Sequence, residues 1–331
     1  MSTSDLPSSV FLTSGPRLPA IVDWLTGSVW SPDRYAALSR EDYLRDGEKA
    51  VARVEELIAL GAPRLWDELA ARSHASPTPR AFLGLDEPLP PEQRRAVVIF
   101  DGLSLRELPL LLQLAGQTGF SVHSASVAAT CLPTETIDFV AQRVLGPEAT
   151  PGLGPSQLPA FGALASHHVH AAYLDNLNPR HTLPRDRHLL LWSSYPDRLY
   201  KDDASRFDTL FPQFHDQIPT LWKYTVQAIP AGMPIVVTSD HGYIFFGGTA
   251  ESARESAATA LLGEHRHKVF PADESFPPPH PDLQLVPERR LAMLRGRLKT
   301  YPKGVSSRRL YQHGGFSLME VLVPWLELTR N

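Results

Sequence analysis

The chain is 331 residues long with a formal net charge of −4 and 43% apolar and 21% charged residues, the balance of an ordinary folded protein with a large core. That charge gives no global case for nucleic acid or membrane binding, and a single cysteine, Cys131, excludes an intramolecular disulfide and fits a reducing, cytoplasmic setting. No basic stretch leads into an apolar one at the start, so no signal peptide is expected, and no apolar run approaches the ~20 residues that span a bilayer.

Residues 20–72 carry apolar positions at helical spacing, as in the run Ala50 to Leu60. Pro77, Pro79, Pro88, Pro90 and Pro91 then mark a linker. The expected division is residues 1–91 as a helical N-terminal segment with its linker, and residues 92–331 as an α/β domain. In the second part, strands are expected at 96–100, 121–128, 188–193, 234–238 and 319–328, and helices at 104–116, 136–145, 205–229 and 287–298. Near-continuous apolar strands alternating with helices predict a mostly parallel sheet covered on both faces. Ligands of such sheets bind beyond the carboxyl ends of the strands.

Chemistry-bearing residues fall at those ends. The first strand runs into Asp101-Gly102, and Ser104 with Glu107 forms a capping box for the next helix. The strand Ile235-Val236-Val237-Thr238 runs into Ser239-Asp240-His241-Gly242, an acid and an imidazole suited to a divalent cation. Taken alone, Asp101 reads as a turn-capping acid; the Asp240-His241 pair in the same topological place makes both candidate ligands. Leu132-Pro133-Thr134-Glu135-Thr136 leads into a helix, where a threonine is either an N-cap or a nucleophile favoured by the helix field. His313 precedes Gly314-Gly315, and Ser317 with Glu320 reads as a second capping box.

In order along the chain, Val98-Ile99-Phe100-Asp101-Gly102, Leu132-Pro133-Thr134-Glu135-Thr136, Val237-Thr238-Ser239-Asp240-His241-Gly242 and His313-Gly314-Gly315-Phe316-Ser317 resemble the PglZ family of the alkaline phosphatase superfamily. The closing Glu320-Val321-Leu322-Val323-Pro324 resembles it as well, so the likeness covers roughly residues 95–328. It implies an α/β fold, an alkaline-phosphatase-like three-layer α/β/α sandwich with a mostly parallel central sheet, to which the helical N-terminal segment is added. It also implies a two-zinc site that transfers a phosphoryl group through a covalent intermediate. Carried over, Asp101, Asp240 and His241 would hold one metal, Thr136 would be the nucleophile on it, and His313 would serve the second metal. The family's spacing from nucleophile to a later glycine fits Thr136 and Gly146 better than it fits Thr134. Asp197 would also serve the second metal, but the ligand position four residues on holds Lys201, which has no lone pair while protonated. Either Asp202 steps in, or Lys201 supplies charge to the substrate in place of a metal.

Arg289, Arg290, Arg295, Arg297, Lys299, Lys303, Arg308 and Arg309 form a run without an acid that leads to His313. It reads either as a solvated face or as a wall drawing an anionic substrate, with Arg308 and Arg309 nearest the site. His167, His168 and His170 read as a solvated loop, and Glu264 to Lys268 as an exposed, substrate-facing strand. The function expected is a cytoplasmic, metal-dependent phosphohydrolase. The resemblance implies a component of bacterial phage-defence systems of the BREX type, with partner proteins and a nucleotide or nucleic-acid setting. Two alternatives stand: a phosphodiesterase or nuclease using the same site, and a degenerate metal-binding scaffold.

Overall fold

The computed structural model describes residues 17–87, 89–90, 92–179, 182–202, 207–246, 257–300 and 310–330. The N-terminal segment is helical: α1 (Leu18–Trp24, continued by a π turn), α2 (Pro32–Ala37), α3 (Arg40–Gly61), α4 (Arg64–Ala75) and α5 (Pro79–Phe82). Ser31, Ser39 and Thr78 each cap a helix through the side-chain oxygen. Then follow β1 (Ala96–Phe100), α6 (Leu108–Gln117), β2 (Phe120–Ala129), α7 (Thr136–Phe139, continued by a π turn), α8 (Gly162–Ser166), β3 (Val169–Leu174) and β4 (His188–Ser193). The chain goes on through α9 (Asp197–Asp202), α10 (Phe207–Tyr224), β5 (Ile235–Thr238), β6 (Ile244–Phe245), α11 (Ala257–Leu262), β7 (His267–Val269), β8 (Leu283–Val286) and β9 (Leu291–Leu294). It closes with β10 (Tyr311–Gln312), α12 (Leu318–Val321) and β11 (Leu322–Arg330).

Six strands form one sheet in the order β2-β11-β5-β1-β4-β3. β3, β4, β1 and β5 pair in parallel, while β11 runs antiparallel to both β5 and β2. Only the reversed β11 departs from the mostly parallel sheet that the apolar runs predict. One buried cluster packs the N-terminal helices, α6 and α10 against one face, and a second, with Phe139, Val140 and Trp192, covers the other. The three-layer α/β/α architecture is therefore present. A separate three-stranded sheet, β7-β9-β8, lies in the excursion between β6 and β10.

Three expectations change. The helix expected over 287–298 is a 3₁₀ turn followed by β9, because pairing with β7 and β8 overrides the helix preference of Leu-Ala-Met-Leu. The histidine run is not a loop throughout, since β3 starts at Val169 and includes His170. The strand expected from 319 begins only at Leu322, after α12.

The N-terminal helices are bound to the sheet through polar as well as apolar contacts. On α3, Gly47, Glu48, Val51, Val54, Glu55 and Ile58 share the buried stripe. Glu48, fully buried, accepts from Arg106 Nε at 2.6 Å and from Arg297 at 2.7 Å. Glu55 Oε1 accepts from the backbone N–H of Leu318 at 2.7 Å.

Candidate active site

The parallel register sets the site. Phe100 pairs with Ser193 and Ile99 with Thr238, so β1, β4 and β5 end on one edge of the sheet. Ala129, the last residue of β2, pairs with Leu322, the first of antiparallel β11, so the segments before α7 and before α12 meet the same edge. Asp101, Thr136, Asp197, Asp240, His241 and His313 all come from these segments. Each follows or precedes an apolar run that the core fixes.

Asp240 and His241 are completely buried. The backbone N–H of Gly102 donates to Asp240 Oδ1 at 3.0 Å, and Thr130 donates to the Asp240 carbonyl. The Ser239 hydroxyl lies 2.7 Å from the carbonyls of Phe100 and His241, tying the two strand ends together. His241 Nδ1 is 2.9 Å from the Gly242 carbonyl, which leaves Nε2 facing Asp240 Oδ2 at 3.5 Å and Asp101 Oδ1 at 3.6 Å. Gly242 is required: a Cβ there would stand 2.1 Å from the Met319 carbonyl oxygen.

Thr136 Oγ1 lies 2.8 Å from Asp240 Oδ2 and 3.4 Å from His241 Nε2. Thr134 is engaged elsewhere. Its hydroxyl donates to the Gly315 carbonyl at 3.1 Å and accepts from the Gly314 N–H at 2.9 Å. Of the two threonines, only Thr136 faces the acids.

Asp197 and His313 form the other half. His313 Nε2 stands 3.6 Å from Asp197 Oδ1, and Lys201 Nζ stands 2.5 Å from Asp197 Oδ2. The His241 and His313 rings stack with centroids 4.0 Å apart. Beneath them, Tyr200, Tyr243 and Tyr311 floor a narrow cavity, with Tyr200 stacked on Tyr311 at 4.1 Å.

The electrostatics are those of a crowded anionic site. Burial, then the Asp240 and Asp197 carboxylates, push the Asp101 carboxyl well above the usual range. Burial opposes charge on His241, but Asp240 and Asp197 outweigh it and raise the imidazole. At His313, burial and the neighbouring His241 lower it. Asp197 is lowered, burial being overcome by His313 and Lys201.

Two triads place ligand atoms within 4.8 Å of one another: Asp101, Asp240 and His241, and Asp197, His241 and His313. The first fits a metal ion on the structure's own terms. Asp101 Oδ1 is buried without a hydrogen-bond partner, facing a second carboxylate and an imidazole nitrogen. Such oxygen and nitrogen donors suit a divalent cation such as zinc, and a cation removes the cost of an unpartnered buried anion.

One neighbour escaped the sequence reading. Glu135 lies between two imidazoles, 3.7 Å from His313 Nδ1 and 3.6 Å from His267 Nδ1. Its position next to Thr136 was a usable signal; His267 belongs to the run Glu264 to Lys268 read as a substrate-facing strand, and the β7-β9-β8 excursion brings it beside Glu135. Arg266, expected on an exposed strand, is buried and donates to Glu320 at 2.7 and 3.0 Å. Glu320 therefore does not complete a capping box with Ser317, although Ser317 Oγ still accepts from the Glu320 N–H at 3.2 Å. The capping box of Ser104 with Glu107 is present.

In the basic run, Arg289 donates to the Leu132 carbonyl and Asp138, Arg290 to the Phe270 carbonyl, Arg295 to Gln284 and Arg297 to Glu48. These arginines brace the fold. Arg308, Arg309, Lys303 and the Asp202 side chain lie outside the described residues.

The sheet and the acid–imidazole–hydroxyl cluster on its carboxyl edge define an alkaline-phosphatase-like α/β domain. Residues 200–328 match the family model of the BREX system PglZ alkaline phosphatase-like domain. Over that span the chain is similar to the PglZ alkaline phosphatase-like domain, which supports a phosphoester hydrolase. Similar solved structures include murine ectonucleotide pyrophosphatase/phosphodiesterase 5, at 16% identity over 71% of this chain and 88% of that chain with a TM-score of 0.44. The human protein of the same name is similar at 15% identity over 71% of this chain and 87% of that chain, TM-score 0.41. No curated protein matches the chain.

Proposed function

We propose that the protein is a zinc-dependent phosphoesterase working through a phosphothreonine at Thr136. One juxtaposition carries this reading: the Thr136 hydroxyl 2.8 Å from Asp240 Oδ2, beside the unpartnered, buried Asp101 Oδ1. Asp101, Asp240 and His241 would hold the ion. When bound, zinc supplies Lewis-acid stabilisation of phosphoryl charge and makes the threonine hydroxyl more acidic.

The remaining work falls to side chains. Asp240 Oδ2 accepts the Thr136 hydrogen bond, orients the hydroxyl and is the acceptor nearest its proton. His241 is held by the Gly242 carbonyl with Nε2 turned to the acids, the orientation a ligand needs. Oγ1 attacks phosphorus as the ester P–O bond breaks, and the alcohol leaves with a proton. Water then attacks phosphorus, releasing phosphate and restoring the hydroxyl. Residues 92–331 carry this chemistry in our assignment, and residues 1–91 brace it through Glu48 and Glu55.

The family description as a BREX-system domain supports a place in a bacterial phage-defence system alongside partner proteins. Among the described residues no helix is long and apolar enough to cross a membrane. That and the lone Cys131 favour a cytoplasmic setting.

The test is hydrolysis of aryl phosphate mono- and diesters by wild type and Thr136→Ala, with mass spectrometry of acid-quenched enzyme. Thr136→Ala is expected to lose at least ~10³-fold in kcat, and wild type to carry phosphate on Thr136. Equal rates would remove Thr136 as nucleophile. Turnover of neither ester by zinc-loaded wild type would leave a scaffold.

A further inference from the structure

Resting on the phosphoesterase reading, we propose that the site holds a single metal ion and that the Lys201 ammonium stands in for a second cation beside Asp197 and His313. The two candidate triads share His241. Its Nδ1 is occupied by the Gly242 carbonyl, so the ring has one lone pair to give, at Nε2. That atom already faces both Asp101 and Asp240. Among the described residues a second ion is therefore left with Asp197 and His313 alone, short of the three protein ligands that catalytic zinc sites keep.

Lys201 occupies the place where a third ligand is needed. It follows Asp197 by four residues on α9, one helical turn on, and its Nζ lies 2.5 Å from Asp197 Oδ2. The Asp197 backbone is held in place, its N–H donating to the Asp101 carbonyl at 2.9 Å. A Cβ on the adjacent Gly102 would already lie 3.1 Å from Asp197 Cβ. A protonated amine offers no lone pair to a metal and repels one. It does carry three N–H donors, of which Asp197 uses one. The Lys201 side chain is 48% exposed, so the others are open to an incoming anion.

The experiment strips purified full-length chain with chelator, reloads it with zinc, desalts it and counts zinc per chain by mass spectrometry. Orthophosphate affinity is measured on the same samples by calorimetry. Wild type is expected to hold one zinc. Lys201→His, which adds an imidazole where the ammonium stood, is expected to hold two. Lys201→Leu is expected to keep one zinc and bind orthophosphate at least ~10-fold more weakly, the loss of a charge-assisted contact. Melting temperature shows that the variants are folded, and the partial exposure of Lys201 makes that the expected result. Two zinc ions in wild type, one in Lys201→His, or unchanged orthophosphate affinity in Lys201→Leu would overturn the inference while leaving the phosphoesterase reading in place. No zinc in wild type would overturn both.

Discussion

Glu55→Gln tests how the N-terminal helices are joined to the active-site edge. Glu55 is buried on α3, its Oε1 accepts from the Leu318 N–H at 2.7 Å, and its Oε2 has no partner. Burial raises its pKa from an ordinary 4.5 to about 7, against the opposing pull of Arg297 and the Leu318 hydrogen bond. The folded chain therefore keeps a proton that the unfolded chain releases near 4.5. Stability from this group is full below that pH and is lost as pH rises through about 7. At roughly 1.4 kcal/mol per tenfold, the loss is about 3 kcal/mol. Glutamine retains an acceptor for Leu318 and does not ionise. The variant should melt ~2 °C above wild type at pH 5 and ~6 °C above it at pH 8, at about 2 °C per kcal/mol for a chain of this length. The assay is paired thermal unfolding across that range, so that every other titrating group cancels in the difference. A difference independent of pH would refute the assignment of a raised, buried acid at this joint.

Gly242→Ala places a Cβ against the Met319 carbonyl, and the Gly242 N–H is itself bonded to the Glu320 carbonyl. Neither backbone can yield freely, so a loss of about 3 kcal/mol or more is expected, with reduced zinc content. A melting temperature within ~1 °C of wild type would show that the contact is relieved. Asp101→Asn relieves repulsion among Asp101, Asp197 and Asp240 but removes a candidate ligand. Without metal it should melt above metal-free wild type, whereas added zinc should raise the wild type by several degrees and the variant little. Equal zinc responses in differential scanning fluorimetry would take Asp101 out of the ligand set.

The sequence made the candidate-site edge legible because its signal is local. Asp101 and Asp240-His241 each follow a short β-branched run that can only be a buried strand, and strands of a parallel sheet end together. Other elements lack such a signal. β3 is an edge strand, mostly half-buried, and its one histidine, His170, suits that place though it reads as a loop. β9 is built from good helix formers and is a strand only because β7 and β8 flank it.

The acids of α3 sharpen the same distinction. Glu48 and Glu55 fall seven residues apart on a stripe with Val51, Val54 and Ile58, so the periodicity that marks a helix also marks both acids as inward. What periodicity cannot supply is the partner. Arg106 and Arg297 lie 58 and 249 residues further on than Glu48, and the Leu318 N–H lies 263 beyond Glu55. A buried acid without a partner argues against its own placement. An acid predicted inward is therefore a prediction that a distant donor exists. Here the donors come from the 3₁₀ turn before α6, the excursion before β10 and the N-terminus of α12. The last is five residues past His313, and through it a helix outside the matched family span bears directly on the loop that carries a candidate ligand.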